Sequence, residues 1–303
     1  MQQRISEDLP DQTLRALNIQ GSFKVTSLAG NENDNYLIQT AERKLVVKRL
    51  RSAYSIAETE LEGVYRARLA DSGLPVVKYL PLDDARFVLT VDDDNYVAAP
   101  YIKGNTPNYS QDLARQTAEL LARVHSIPSF GLGERETWFR KDYVTDSLAH
   151  ISDQYTEAKH EFADRRTHTP DFWNADLPCG IVHGDLHNEN VIVDDRDKIV
   201  SIIDWEETAI QPLLLDVAQT ARFMSFRNGI CDVVTFHTFM DTYQHIRPLT
   251  ELEKQWFEPA LHYTTLALSV WAHLKASEGQ LDKAIFDDLG SRYAFSYVAP
   301  QIK

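Results

Sequence analysis

The stretch Ile181-Val182-His183-Gly184-Asp185-Leu186-His187-Asn188-Glu189-Asn190-Val191 constrains this chain more than any other part of it. An aspartate, and five residues later an asparagine, stand between two apolar runs, and a second aspartate follows at Ile202-Ile203-Asp204. The runs Gly180 to His183 and Val191 to Val193 read as strands, and Ile199 to Ile203 pairs back through the turn Asp194-Asp195-Arg196-Asp197. Three oxygen-bearing side chains are thereby placed where strands end and loops begin. Phosphoryl transfer needs one carboxylate beside the acceptor hydroxyl and a pair of oxygen ligands for magnesium. Asp185 is the expected base, and Asn190 and Asp204 are the expected metal ligands. Either aspartate alone would read as a helix cap or a strand end, but the ordered set does not. His183 and Gly184 are expected to fix the loop, the glycine by turning tightly and the imidazole by bonding loop carbonyls.

The remainder of the chain divides in texture. Ser22 to Leu28, Asn35 to Gln39 and Lys44 to Leu50 are short β-branched or apolar runs, followed by a helix from Tyr54 to Ser72 with Leu61, Tyr65 and Leu69 on one face. Gly73 and Pro75 end that helix. Arg86 to Val91 and Tyr96 to Ile102 form a hairpin around Asp92-Asp93-Asp94-Asn95, an acidic run read as a solvated turn. Beyond Lys103 the pattern becomes helical: Gln111 to Ser126, a polar stretch from Asp146 to Arg166, and helices after the signature. The fold class is therefore α+β and bilobal, with a β-rich N-lobe over 1–102, a mostly helical C-lobe over 103–303, and a hinge between Pro100 and Gly104. Trp256, Tyr263, Val270 and Trp271 recur at near-helical spacing and are expected as a core stripe.

Composition excludes several classes of function. A length of 303 residues is enough for two cores. The formal charge of −14 argues against nucleic acid or an anionic membrane as partner, and is compatible with a cationic acceptor. Cys179 and Cys231 form no disulfide framework and are expected as buried small hydrophobes in a reducing cytoplasm. The N-terminus shows no signal-peptide core, and no apolar run is long enough to span a bilayer. No histidine outside the signature has zinc-ligand spacing.

The block His183 to Val191, the following Ile202-Ile203-Asp204-Trp205-Glu206, and Leu215-Asp216-Val217-Ala218 resemble the aminoglycoside phosphotransferase and choline kinase superfamily, which shares the protein-kinase fold. Leu121-Ala122-Arg123-Val124-His125-Ser126-Ile127-Pro128 also looks like the helix end typical of its C-lobe. The resemblance implies ATP and Mg²⁺ as cofactors, and a brace on the catalytic loop from Asp216. Lys48, in Leu45-Val46-Val47-Lys48, resembles the third-strand lysine that contacts the α- and β-phosphates. Its partner is expected on the Tyr54 to Ser72 helix, where Glu58, Glu60 and Glu62 compete. Glu62 is favoured because it shares a face with Tyr65 and Leu69, which leaves the other two as ordinary solvated charges. No three-glycine phosphate loop is present. Gly30-Asn31-Glu32-Asn33-Asp34-Asn35-Tyr36 stands in its place and resembles the loop of homoserine kinases in the same superfamily, which makes Asn33 and Asn35 expected phosphate contacts. The adenine is expected against the crossing Pro100, Tyr101 and Ile102.

The expected reaction is ATP-dependent phosphorylation of a hydroxyl on a small molecule, with homoserine or another amino alcohol favoured by the loop. Choline, ethanolamine, an aminoglycoside or a sugar stay open as acceptors. A protein acceptor is disfavoured because Asp204-Trp205-Glu206 replaces Asp-Phe-Gly and no Ala-Pro-Glu-like segment follows. Trp205-Glu206-Glu207 reads equally as an ammonium-facing patch or as surface charge. The rivals are a catalytically silent nucleotide-binding regulator and a nonenzymatic scaffold. Retention of Lys48, Asp185, Asn190 and Asp204 counts against both.

Overall fold

The computed structural model describes residues 15–16, 22–28, 34–50, 55–82, 85–91, 93–133, 135, 142–227, 230–281 and 286. Asn33 and most of its loop lie outside these residues. Strands β1 (Phe23–Leu28), β2 (Asp34–Thr40), β3 (Lys44–Arg49), β4 (Leu89–Val91) and β5 (Asp94–Pro100) form one antiparallel sheet in the order β1-β2-β3-β5-β4. Side chains alternate across a strand. Leu45 and Val47 of β3 bury with Ile38, Tyr96 and Ala98 on one face, and Lys48 consequently points to the other.

Helix α1 (Ile56–Asp71) begins in a capping box, in which the Glu58 N–H donates to Ser55 Oγ (3.2 Å) and the Ser55 N–H donates to Glu58 Oε2 (2.9 Å). It stops at Ser72 and Gly73, whose φ of 77° suits a residue without Cβ. Tyr65 and Leu69 enter the large core beside Leu121, Val124 and Ile202. The sheet and the helical region are therefore fastened along α1. Two hydrogen bonds add to this: Tyr65 Oη donates to the Gly133 carbonyl (2.7 Å), and the Ile202 N–H to the Pro75 carbonyl (2.7 Å).

Helix α2 (Gln111–His125) is capped by Ser110, whose Oγ accepts from the Leu113 N–H, and it buries Leu113, Leu120, Leu121 and Val124. The continuous helix expected over Asp146 to Arg166 is broken into α3 (Tyr143–Leu148), a 3₁₀ turn (Asp153–Tyr155) and α4 (Thr156–Thr167). Ser152 restarts the chain by accepting from the Gln154 N–H. Among α4 residues only Phe162 is buried, so no apolar stripe demands one long helix.

Around the signature, β6 (Cys179–Val182) pairs with β9 (Ala209–Pro212), and β7 (Val191–Val193) pairs with β8 (Ile199–Ile202). Strand β9 was not expected from the sequence. The remaining helices are α5 (Leu213–Ser225), α6 (Val233–Ile246) and α7 (Glu251–Ser277), with a small hairpin of β10 (Phe226–Arg227) and β11 (Ile230–Cys231) after α5. Tyr263 and Val270 of α7 are buried in the core. Contrary to expectation, Cys179 is exposed and Cys231 half-buried, both as free thiols; Cys179 opens β6, before the strand's buried residues begin. No helix among the described residues is long and apolar enough to cross a membrane.

Candidate active site

Lys48 reaches across from the sheet to the residues that follow β8. Its Nζ lies 3.0 Å from Asp204 Oδ1 and forms a second ion pair with Glu206. Burial alone would lower the lysine's pKa, but Asp204 and Glu206 outweigh it and hold the group firmly protonated. The lysine and Asp204, far apart in the chain, are thus brought together. Asp204 itself takes φ 60°, a left-handed conformation that residues with a side chain rarely adopt.

Asp185 and Asn190 stand on the same floor. Asn190, at the end of a 3₁₀ turn (Asn188–Asn190), donates from Nδ2 to the Asp185 carbonyl (2.8 Å) and to Asp185 Oδ2 (3.3 Å). The Asn190 carbonyl accepts from the Ile203 N–H (2.9 Å), which ties this turn to the residue before Asp204. His187 Nε2 approaches Asp185 Oδ2 at 3.4 Å. Burial would depress the His187 pKa, but the neighbouring Asp185 carboxylate raises it.

The loop is held from beneath. Asp216, on the first turn of α5, accepts the His183 N–H on Oδ2 (2.7 Å) and the Gly184 N–H on Oδ1 (3.1 Å). His125 Nε2 lies 3.1 Å from the same Oδ2, and His125 Nδ1 lies 2.7 Å from Tyr243 Oη. Arg247 continues this buried chain, donating to Tyr243 Oη (3.1 Å) and to Glu253 (2.8 Å). Burial would raise the Asp216 pKa, yet the bonds from His125 and His183 bring it below the usual carboxylate range. His183 Nε2 donates to the Ile203 carbonyl (3.0 Å), and Nδ1 accepts from the Asp185 N–H (3.3 Å). These roles require a neutral ring, and burial keeps its pKa low. Gly184 has φ 82°, and a Cβ there would stand 2.7 Å from the Glu207 carbonyl oxygen, so the tight turn needs glycine.

The helix glutamates differ from expectation. Glu62 does not meet Lys48: it is 2% exposed, pairs with Arg66 one turn on (3.0 Å) and accepts from Tyr79 Oη (2.6 Å). Lys48 is instead occupied by the two carboxylates after β8. Neither of the other glutamates is an ordinary solvated charge. Glu58 closes the capping box, and Glu60 accepts the backbone N–H groups of Phe87 (3.0 Å) and Val88 (2.8 Å). Arg66 lies 4.0 Å from the Tyr79 ring centre, so Glu62, Arg66 and Tyr79 form one buried polar knot behind the lysine.

Glu206 fits neither reading offered by the sequence. It is 7% exposed and faces Lys48, with Trp205 fully buried beside it against the His183 ring. Its signal was adjacency to Asp204, which does not reveal a partner on another sheet. Of the remaining expected residues, Asn35 lies on β2 opposite Lys48. Pro100 ends β5, and the Tyr101 N–H is given to the Lys44 carbonyl (3.0 Å), which leaves that donor engaged in the sheet. Ile102 follows on the crossing itself. The oxygen donors of Asp204, Asn190 and Glu206 are of the hard kind that suits a divalent alkaline-earth ion.

Homoserine kinase of Zymomonas mobilis subsp. mobilis is 25% identical over 226 residues, covering 70% of this chain and 67% of that protein. The structure of amicoumacin kinase hAmiN in complex with AMP-PNP, Ca²⁺ and Ami superposes with a TM-score of 0.72 at 17% identity, over 95% of this chain and 92% of that one. A microcompartment-associated aminopropanol kinase gives 0.71 at 18% identity, over 95% of each. These similarities show the fold, a protein-kinase-like pair of lobes. The profile of the phosphotransferase enzyme family, APH, matches residues 24–249, and the chain belongs to that family.

Proposed function

We propose that this phosphotransferase moves the γ-phosphoryl group of ATP to the hydroxyl of a small amino acid or amino alcohol such as homoserine, using Mg²⁺. The observation that carries the reading is the 3.0 Å approach of Lys48 on the sheet to Asp204, whose neighbour Ile203 is bonded to the Asn190 carbonyl. In this reading residues 1–102 bind the nucleotide and 103–303 supply the catalytic loop and acceptor pocket. Lys48 holds the phosphates, and Asn33 and Asn35 border them. Pro100, Tyr101 and Ile102 border the adenine. Glu62 supports the lysine at one remove, through Tyr79.

Asp185 orients the acceptor hydroxyl and takes its proton as the new O–P bond forms. Asn190 keeps that carboxylate aimed, with His187 beside it. Asn190 and Asp204 would hold the metal, with Glu206 close by; when bound, the ion neutralises charge on the transferred group. Most of the acceleration comes from position and electrostatics, because the transition state is loose. Support for an amine-bearing acceptor comes from the homoserine kinase relatives and from the net acidic charge.

The test is incubation with ATP, Mg²⁺ and separate acceptors: homoserine, aminopropanol, choline, ethanolamine, simple sugars and aminoglycosides. Phosphorylation of homoserine or aminopropanol well above the others is expected. Tight Mg-ATP binding with transfer to none of them would refute the acceptor assignment and favour a silent regulator.

A further inference from the structure

Gln219 is the clearest physical anomaly outside the residues discussed so far. It is fully buried in the middle of α5, and neither its Nε2 nor its Oε1 has a hydrogen-bond partner. Interiors pair nearly all such atoms because an unpaired buried amide destabilises the fold. A side chain of similar volume without the amide would fit the same place at lower cost. The amide therefore needs a use that the contacts within this fold do not display.

Its place on α5 indicates the use. Asp216, Gln219 and Phe223 are spaced i, i+3 and i+7 and share one face of the helix. At one end of that face Asp216 holds the N–H groups of His183 and Gly184. At the other, the Phe223 ring packs 5.4 Å from the ring of His187. The face thus meets the loop at its His183 end and at its His187 end, and Gln219 falls in sequence and on that face between the two anchoring residues. An amide offers both an N–H and a carbonyl, which is the complement of a peptide group.

We propose that Gln219 is a positioning residue for the catalytic loop, hydrogen-bonding the loop backbone between Gly184 and His187 only in the nucleotide-bound setting. This rests on the phosphotransferase reading given above. On this proposal the amide is unpaired before nucleotide binds, and loading with nucleotide pairs it and fixes the aim of Asp185. The cost in the free state and the gain in the bound state are two sides of one contact.

The test compares wild type with Gln219→Met. The variant's melting temperature without ligand should rise by about 2 °C, from removal of an unpaired polar group. On adding Mg-AMP-PNP, amide exchange over 183–191 should slow about tenfold more in wild type than in the variant. With an accepted substrate, kcat should fall about 10- to 100-fold and Mg-AMP-PNP should bind less tightly, because a contact made only with nucleotide bound is linked to its binding; a purely structural role would move neither. A lower melting temperature for Gln219→Met would show the amide already paired and overturn the proposal, as would equal loop protection in the two proteins. If no acceptor is phosphorylated, the acceptor assignment fails by itself and the exchange measurement still decides. If wild type shows no thermal shift with Mg-AMP-PNP, both fall.

Discussion

Asp216→Asn isolates the brace beneath the His183–Asp185 loop with almost no change of shape. Both carboxylate oxygens accept a backbone N–H, from His183 at 2.7 Å and from Gly184 at 3.1 Å. An asparagine can present only one oxygen, so its NH₂ must face one of these donors whichever way it turns. The change removes a charge-assisted hydrogen bond and leaves a buried N–H unpaired, together about 2–3 kcal/mol. For 303 residues the unfolding entropy is roughly 0.6 kcal/mol per degree, so the melting temperature should drop by about 4 °C. Phosphoryl transfer should fall further than stability does, because the displaced backbone is that of the residues leading into Asp185. Differential scanning calorimetry and steady-state kinetics on the same preparation measure both. A melting temperature within about 1 °C of wild type would refute the reasoning, since it would mean that the two N–H groups find other partners.

Asp185→Ala should lower kcat by about 10²- to 10⁴-fold with nucleotide binding intact; unchanged turnover would remove Asp185 from the mechanism. Asp204→Asn should abolish most of the thermal shift produced by Mg-ATP, and a shift equal to wild type would contradict a metal-binding role. The third concerns pH. Burial holds the His125 pKa below its usual value, so between the folded and unfolded values the unfolded chain binds the extra proton. Its contribution therefore falls as pH drops below about 6.5 and is restored above it. The loss of thermal stability between pH 7.5 and 5.5 should be smaller in His125→Gln than in wild type, and an identical slope in both proteins would exclude His125 as a source.

The sequence was most legible where the determinants are local. The strand-loop-strand run from Gly180 to Val193, the helix carrying Tyr65 and Leu69, and the meander of Val25, Ile38 and Val47 all announce themselves through short-period apolar patterning. The break at Ser152 was missed because a polar stretch gives no stripe whose interruption can be seen. Strand β9 was missed because four residues ending in proline make a weak strand signal. Side-chain pairing was the least legible. Periodicity separates Glu62 from Glu60 by face but does not reveal partners: Glu58 caps, Glu60 anchors the Phe87 segment and Glu62 is buried with Arg66 and Tyr79. Glu206 drew no distinct signal because its partner lies 158 residues away.

The backbone at Asp204 carries a consequence for how this position can drift. With φ at 60°, glycine would be the least costly occupant, and asparagine and aspartate the next. Any β-branched or bulky replacement is opposed by sterics before chemistry is consulted, so neutral substitution is funnelled toward a very short list of side chains. Among these only aspartate keeps a full negative charge, and a lineage that lost the reaction would be free to settle on glycine. Across related chains, an acid kept at this position in place of the cheaper glycine would therefore mark continued use, readable at a single codon.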